Sequence, residues 1–253
     1  MSRDSSRKPI TAVSLKMYFE RERTLEYVNA VTSLVREDPG LADEVTLAVL
    51  PDFLTMAAVA DPIAAAGMTL GAQNLAPEER GAFTGEVSGA DLYALGARVV
   101  EIGHAERRTI FGESDAMVAQ KVATATKVGL TPLLCIGEPT HTNPDDAAKL
   151  CVEQVHSALR EAAPSEIWLA YEPYWAIGAA KPAEPEYVSA VCDAIRDQLQ
   201  DAPGISILYG GSAGTGLIQK LSESIDGLFL GRFAHDPEAF VAVVKETHRR
   251  HRK

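Results

Sequence analysis

Only three cysteines, Cys135, Cys151 and Cys192, occur in 253 residues, and no two of them are spaced as CxxC. They are too few for a disulfide framework and form no metal-binding pair, so a reducing compartment is expected. Positive charge is also scarce. Twenty-four Lys and Arg against 35 Asp and Glu leave a net charge of -11, which argues against nucleic acid or an anionic membrane as partner, because both need a basic face. The basic run HRRHRK, His248 to Lys253, reads as a solvated helix end that complements the helix dipole. No stretch reaches the ~18 uninterrupted apolar residues of a membrane span, and MSRDSSRKPITAV at the start carries no long apolar segment. Neither spanning nor secretion is therefore expected, and the cytoplasm is the default. A first-unit GxGxxG and a GxxxxGK[ST] are both missing, so no nucleotide is implied. No cofactor or metal is expected.

What is present is alternation. Apolar runs of strand character, ITAVSL, VTLAVL, MTLGAQ, RVVEIG, LTPLLCIG, EIWLAYE, ISILYGG and DGLFLG, each precede a stretch of helical period. Those stretches are Leu25 to Glu37, Phe53 to Ala66, Gly89 to Gly96, Asp115 to Val128, Asp145 to Ala163, Pro185 to Gln200, Thr215 to Ser222, and Pro237 to Arg249. Unbroken strand-helix alternation means parallel strands with helical crossovers, and eight units in a chain of this length predict a closed (β/α)8 barrel. No linker, low-complexity tract or fixed-period repeat interrupts it, so one domain over 1–253 is expected, with its active site where the strands end.

Collecting the residues at those ends gives Lys16 after the first strand, Gln73 and Asn74 after the third, and His104 after the fourth. Glu172 follows the sixth, Gly210, Gly211 and Ser212 the seventh, and Gly231 and Arg232 the eighth. Singly, each has a bland reading as a capping group, a solvated charge or a tight turn. Together they put a cation, an imidazole, a carboxylate and glycine-rich turns on one rim. An acidic protein that binds phosphate needs main-chain donors, and glycines let the backbone approach. Cys135, inside LLCIG, reads as a small core residue.

Five stretches, GAFTGEVS, EIGHAERRTIFGESD, KVGLTPLLCIGE, AYEPYWAIGAAK and LYGGS, resemble signatures of the triosephosphate isomerase family, in that family's order. The resemblance spans Lys16 to Gly231. It implies a (β/α)8 barrel that interconverts dihydroxyacetone phosphate and glyceraldehyde 3-phosphate through an enediolate. It further implies Glu172 as general base, His104 as neutral electrophile, Lys16 as partner of the substrate anion and Glu106 as a helper near Lys16. Residues 173 to 181 would be a closing lid with Pro173 and Lys181 as hinges and the Gly178 amide on the phosphate. A homodimer through the loop Asn74 to Glu86 is implied as well, and glycolysis and gluconeogenesis as the setting. The chemistry fits these residue types, since moving a proton between adjacent carbons needs a base on one face and donors toward the developing oxygens.

Three stretches depart from the family pattern. Asn-Trp-Lys-Met-Asn is usual where this chain has Ser14, Leu15, Lys16, Met17 and Tyr18; Ala105 replaces a Ser; and the eighth-strand turn reads Gly231-Arg232 instead of Gly-Gly. Ser14 is too short to reach a substrate oxygen as Asn can. Ala105 withdraws a hydrogen bond from the base. These changes keep open a second enzyme reading, a tetrulose-phosphate (erythrulose-phosphate) isomerase of the same family, whose members resemble this chain in a Gly-Arg turn. A catalytically weak binding paralogue is the third. For Arg232, a side chain turned outward or just behind the site is favoured over one turned inward, since a bulky inward residue would crowd a three-carbon ligand.

Overall fold

Each apolar run condenses into a short parallel strand: β1 Ile10–Ser14, β2 Thr46–Leu50, β3 Thr69–Ala72, β4 Ala97–Ile102, β5 Thr131–Ile136, β6 Ile167–Tyr171, β7 Ile205–Tyr209 and β8 Gly227–Leu230. They pair in chain order, and β1 also pairs with β8, which closes the barrel. This computed structural model describes residues 7–38, 40–177, 183–200 and 204–252. Among the described residues no helix is long and apolar enough to cross a membrane.

The strands read as continuous apolar runs because both of their faces are buried. Odd and even positions serve different cores. Ile10, Ala12, Leu50, Val99, Cys135, Ala170 and Phe229 fill the barrel interior, while Val13, Val49, Val100 and Leu134 pack outward beneath the helices. Burial of each such aliphatic side chain contributes ~1.5–3 kcal/mol. The alternation has a consequence for function: carried one step further, it turns Ser14 inward after Ala12, Glu101 after Val99 and Glu172 after Ala170.

The outer ring is α1 Arg21–Arg36, α2 Leu41–Glu44, α3 Phe53–Ala65, α4 Gly89–Ala94, α5 Ala105–Ile110, α6 Asp115–Val128, α7 Pro144–Leu159, α8 Pro185–Gln198 and α9 Pro237–His251. Side-chain caps mark several starts. Asp52 accepts from Leu54 N, Asn143 from Asp146 N, and Asp236 from Ala239 N, each satisfying an amide left without a partner in the first turn. The helix expected over Thr215 to Ser222 does not form; only a 3-10 turn, Ile218–Lys220, is present. Gly214 and Gly216, the latter at φ +80, cost an α-helix too much backbone freedom at its start.

Candidate active site

The carboxyl ends of the strands surround a cavity of about 720 Å³. Ser14, Lys16, His104, Glu106, Glu172, Gly210, Gly211, Ser212, Gly231 and Arg232 all line it, so ten of the eleven expected site residues come together there. The eleventh, Gly178, lies outside the described residues, as does Lys181.

Glu172 follows β6 directly, its amide donating to Ile136 O at 2.8 Å. Its side chain lies over Gly210, where an added Cβ would come within 2.6 Å of Glu172 Cγ. A side chain there would displace the Glu172 carboxylate, so glycine at this position makes room for Glu172. Gly231 differs, since a Cβ there would meet nothing within 4 Å and would project into open cavity space.

Opposite Glu172, His104 caps α5. Its Nδ1 accepts the Glu106 amide at 3.1 Å, and its Nε2 stands 3.2 Å from Glu172 Oε2. Two influences on this ring conflict. Burial disfavours its charge, whereas Glu172 and Glu101 beside it pull its pKa upward. The backbone hydrogen bond decides the outcome, because a proton on Nδ1 would face the Glu106 N–H directly, at the positive end of α5. The ring is thus held neutral with its hydrogen on Nε2, aimed at the cavity. The Ser-to-Ala change at Ala105 leaves Glu172 with His104 as its close polar neighbour.

Lys16 adopts φ 49, the left-handed region that a side chain other than glycine enters at a cost of ~1–2 kcal/mol. Gln73 holds the conformation, its Nε2 donating to Lys16 O at 3.0 Å. The ammonium donates to Glu106 Oε1 at 2.7 Å. Burial disfavours this charge, but Glu106, Glu172 and Glu101 outweigh burial and raise the lysine's pKa. Arg232 is exposed at the rim, its guanidinium 5.9 Å from the Tyr18 ring centre. It lines the cavity mouth without being buried in it, between the inward and outward placements considered above.

Two features escaped the sequence reading. Glu101, 4 % exposed on β4, accepts a hydrogen bond from Ser14 Oγ at 3.0 Å. Burial pushes its carboxyl up to about 7, with His104 and Lys16 opposing and Glu172 adding to the rise. A lone acid inside RVVEIG was the available signal. The second is Glu138 after β5, whose Oε1 accepts from Trp175 Nε1 at 2.7 Å, Tyr187 OH at 3.0 Å and Tyr171 OH at 3.2 Å. Trp175 belongs to the 3-10 turn Tyr174–Ala176, so the near half of the expected lid is tied down at one oxygen. Ile177 beyond it lines the cavity. A base, a neutral donor and an ammonium facing one cavity can remove a proton from carbon and stabilise the oxyanion that results.

The family model described as triosephosphate isomerase matches residues 9–247. L-erythrulose-1-phosphate isomerase of Pectobacterium atrosepticum is 45% identical over 250 residues, covering 96% of each chain. Triosephosphate isomerase of Synechococcus sp. is 36% identical, covering 93% of this chain and 95% of its own. Triosephosphate isomerase 2 of Listeria innocua is 34% identical, covering 94% and 96%.

Proposed function

Because the chain belongs to the triosephosphate isomerase family of aldose-ketose isomerases, we propose that Glu172, His104 and Lys16 move a carbonyl between adjacent carbons of a phosphorylated ketose, and that the ketose has four carbons. The observation that supports this substrate is the greater likeness to the relative named for erythrulose phosphate than to those named for triose phosphate. It favours the four-carbon substrate over the dihydroxyacetone phosphate that the motifs alone put first.

In a tetrulose 1-phosphate the carbon next to the C2 carbonyl that bears a hydroxyl is C3. Glu172 takes the proton from C3, and the electron pair passes into an enediolate whose oxygens receive hydrogen bonds from His104 Nε2 and charge from Lys16. The proton returns to C2 while the hydroxyl hydrogen passes from O3 to O2, so the carbonyl ends on C3 and nothing is gained or lost. Gly211, Ser212, Gly231 and Arg232 hold the phosphate at the rim. Purified protein is expected to show a higher kcat/KM on erythrulose 1-phosphate than on dihydroxyacetone phosphate. The reverse order returns the triose reading to first place, and activity on neither leaves a binding role.

The same reading includes a homodimer. Large apolar side chains are exposed in the loops and first helices that follow the first four strands: Met17 (94 %), Leu54 (90 %), Ile110 (69 %), Phe111 (63 %) and Phe83 (43 %). An apolar face of that kind marks an interaction surface. Phe83 sits at the tip of the loop Asn74 to Glu86, whose base is fixed by Lys121 Nζ donating to Asn74 Oδ1 at 2.8 Å and by Ala76 N donating to Val87 O at 2.8 Å. Sedimentation at micromolar concentration is expected to give twice the chain mass, and Phe83→Asp to shift it toward one. A monomer in the wild type ends this proposal.

A further inference from the structure

A carboxylate buried in a barrel without reaching the substrate cavity is an expense the fold would normally avoid. Glu101 is such a group. It is buried and does not line the cavity itself, and its hydrogen-bond donor is Ser14, which does. Eighty-seven residues separate the two in sequence, and they meet because β1 and β4 both turn these positions into the barrel. Ser14 is 2 % exposed, so its hydroxyl has two directions open to it, toward Glu101 and toward the cavity.

The polarity of this pair follows from its geometry. A serine hydroxyl has one hydrogen, and Glu101 Oε2 takes it at 3.0 Å. Toward the cavity Ser14 then presents lone pairs. An amide side chain of the kind usual in the family at this position could donate into the cavity; Ser14 backed by Glu101 can accept. An ionised Glu101 can only accept, and a protonated one keeps an acceptor oxygen, so both forms allow Ser14 to donate to it. The group that fits an acceptor here is a hydroxyl of the substrate. If the phosphate is held at the rim by the seventh- and eighth-strand turns and the reacting carbons lie between Glu172 and His104, the substrate's other end reaches the floor at Ser14. On a tetrulose phosphate that end is a hydroxymethyl group beyond the two reacting carbons, where a triose phosphate has only hydrogen.

We propose that Ser14 and Glu101 work as one unit that selects a four-carbon ketose phosphate, Ser14 Oγ accepting the hydrogen of its terminal hydroxymethyl group while Glu101 holds Ser14's own hydrogen. Glu101 is a positioning residue, and Ser14 is the contact. The inference rests on the substrate proposed above, and its test separates the two. The kcat/KM ratio for erythrulose 1-phosphate over dihydroxyacetone phosphate is measured in the wild type, Ser14→Ala, Glu101→Val, the double variant and Glu101→Gln. One lost hydrogen bond to a bound hydroxyl is expected to lower that ratio about tenfold or more in each of the first two variants. The double variant is expected to fall no further, because the two side chains form one device. Glu101→Gln, which keeps an acceptor oxygen, is expected to recover most of the ratio. Ser14→Ala keeps the test decisive should Glu101→Val fail to fold. A ratio that Ser14→Ala does not move, or losses that add in the double variant, overturns the unit whatever the wild type prefers. A wild type that prefers the triose overturns the substrate instead, and is read from a different number.

Discussion

Glu172→Asp is expected to lower kcat by on the order of 10²-fold while leaving KM little changed. The carboxylate would withdraw by about one carbon-carbon bond, ~1.5 Å, from a position that the surrounding backbone gives it no means of regaining. Glu172 N donates to Ile136 O at 2.8 Å and Gly210 N to Tyr171 O at 2.9 Å, so the end of β6 is tied on both sides. Tyr171 before it is fully buried. The turns proposed to hold phosphate lie on other strands and are untouched, which is why binding and turnover should separate. Steady-state kinetics on the preferred substrate checks this, and an undiminished kcat would remove Glu172 from the role of base.

Lys16→Met should cost kcat/KM about 10²–10³-fold, the usual scale for losing a preorganised charge at a developing oxyanion. The ammonium is the counter-charge to Glu106, Glu172 and Glu101 together. Without it those carboxylates lose their counter-charge and a phosphorylated substrate would meet positive charge only from Arg232 at the rim, so KM rises as kcat falls. A companion variant separates chemistry from folding. Lys16 sits at φ 49, a conformation glycine enters freely, so Lys16→Gly should be as inactive as Lys16→Met yet melt no lower than the wild type. Near-wild-type kcat/KM in Lys16→Met would show that the ammonium does not act on the substrate.

The fold was legible because parallel strands buried on two sides leave unbroken apolar runs, and all eight were readable as such. The seventh helix was not. The residues Thr215 to Ser222 carry helical periodicity, but Gly214 and Gly216 decide against it at close range, and the chain settles for Ile218–Lys220. At the site, Glu172, His104 and Lys16 stood out as chemistry placed just after strands. Glu101 was hidden for the opposite reason: it lies within a strand, and only the closure of the barrel tells which face its side chain takes. No local pattern announces that a residue on β4 will meet Ser14 on β1. The glycines were legible as a group yet not in their purposes. Gly210 makes room for Glu172, and Gly211 for Tyr209, whose hydroxyl would lie 2.3 Å from an added Cβ.

The knot of hydrogen bonds at Glu138 also gives the protein a built-in optical reporter. The chain has two tryptophans. Trp168 is buried in the barrel interior with its Nε1 on Glu166 Oε1 at 3.0 Å, at the end of the barrel away from the cavity. Trp175 rides on the turn beside the cavity, with its indole N–H on a carboxylate and the His141 ring 4.7 Å away. Any movement of that turn takes one indole away from a quenching charge and a neighbouring ring while leaving the other where it was. A change in emission on adding ligand can accordingly be assigned to Trp175 without engineering the protein, and it reports on the turn that Glu138 holds.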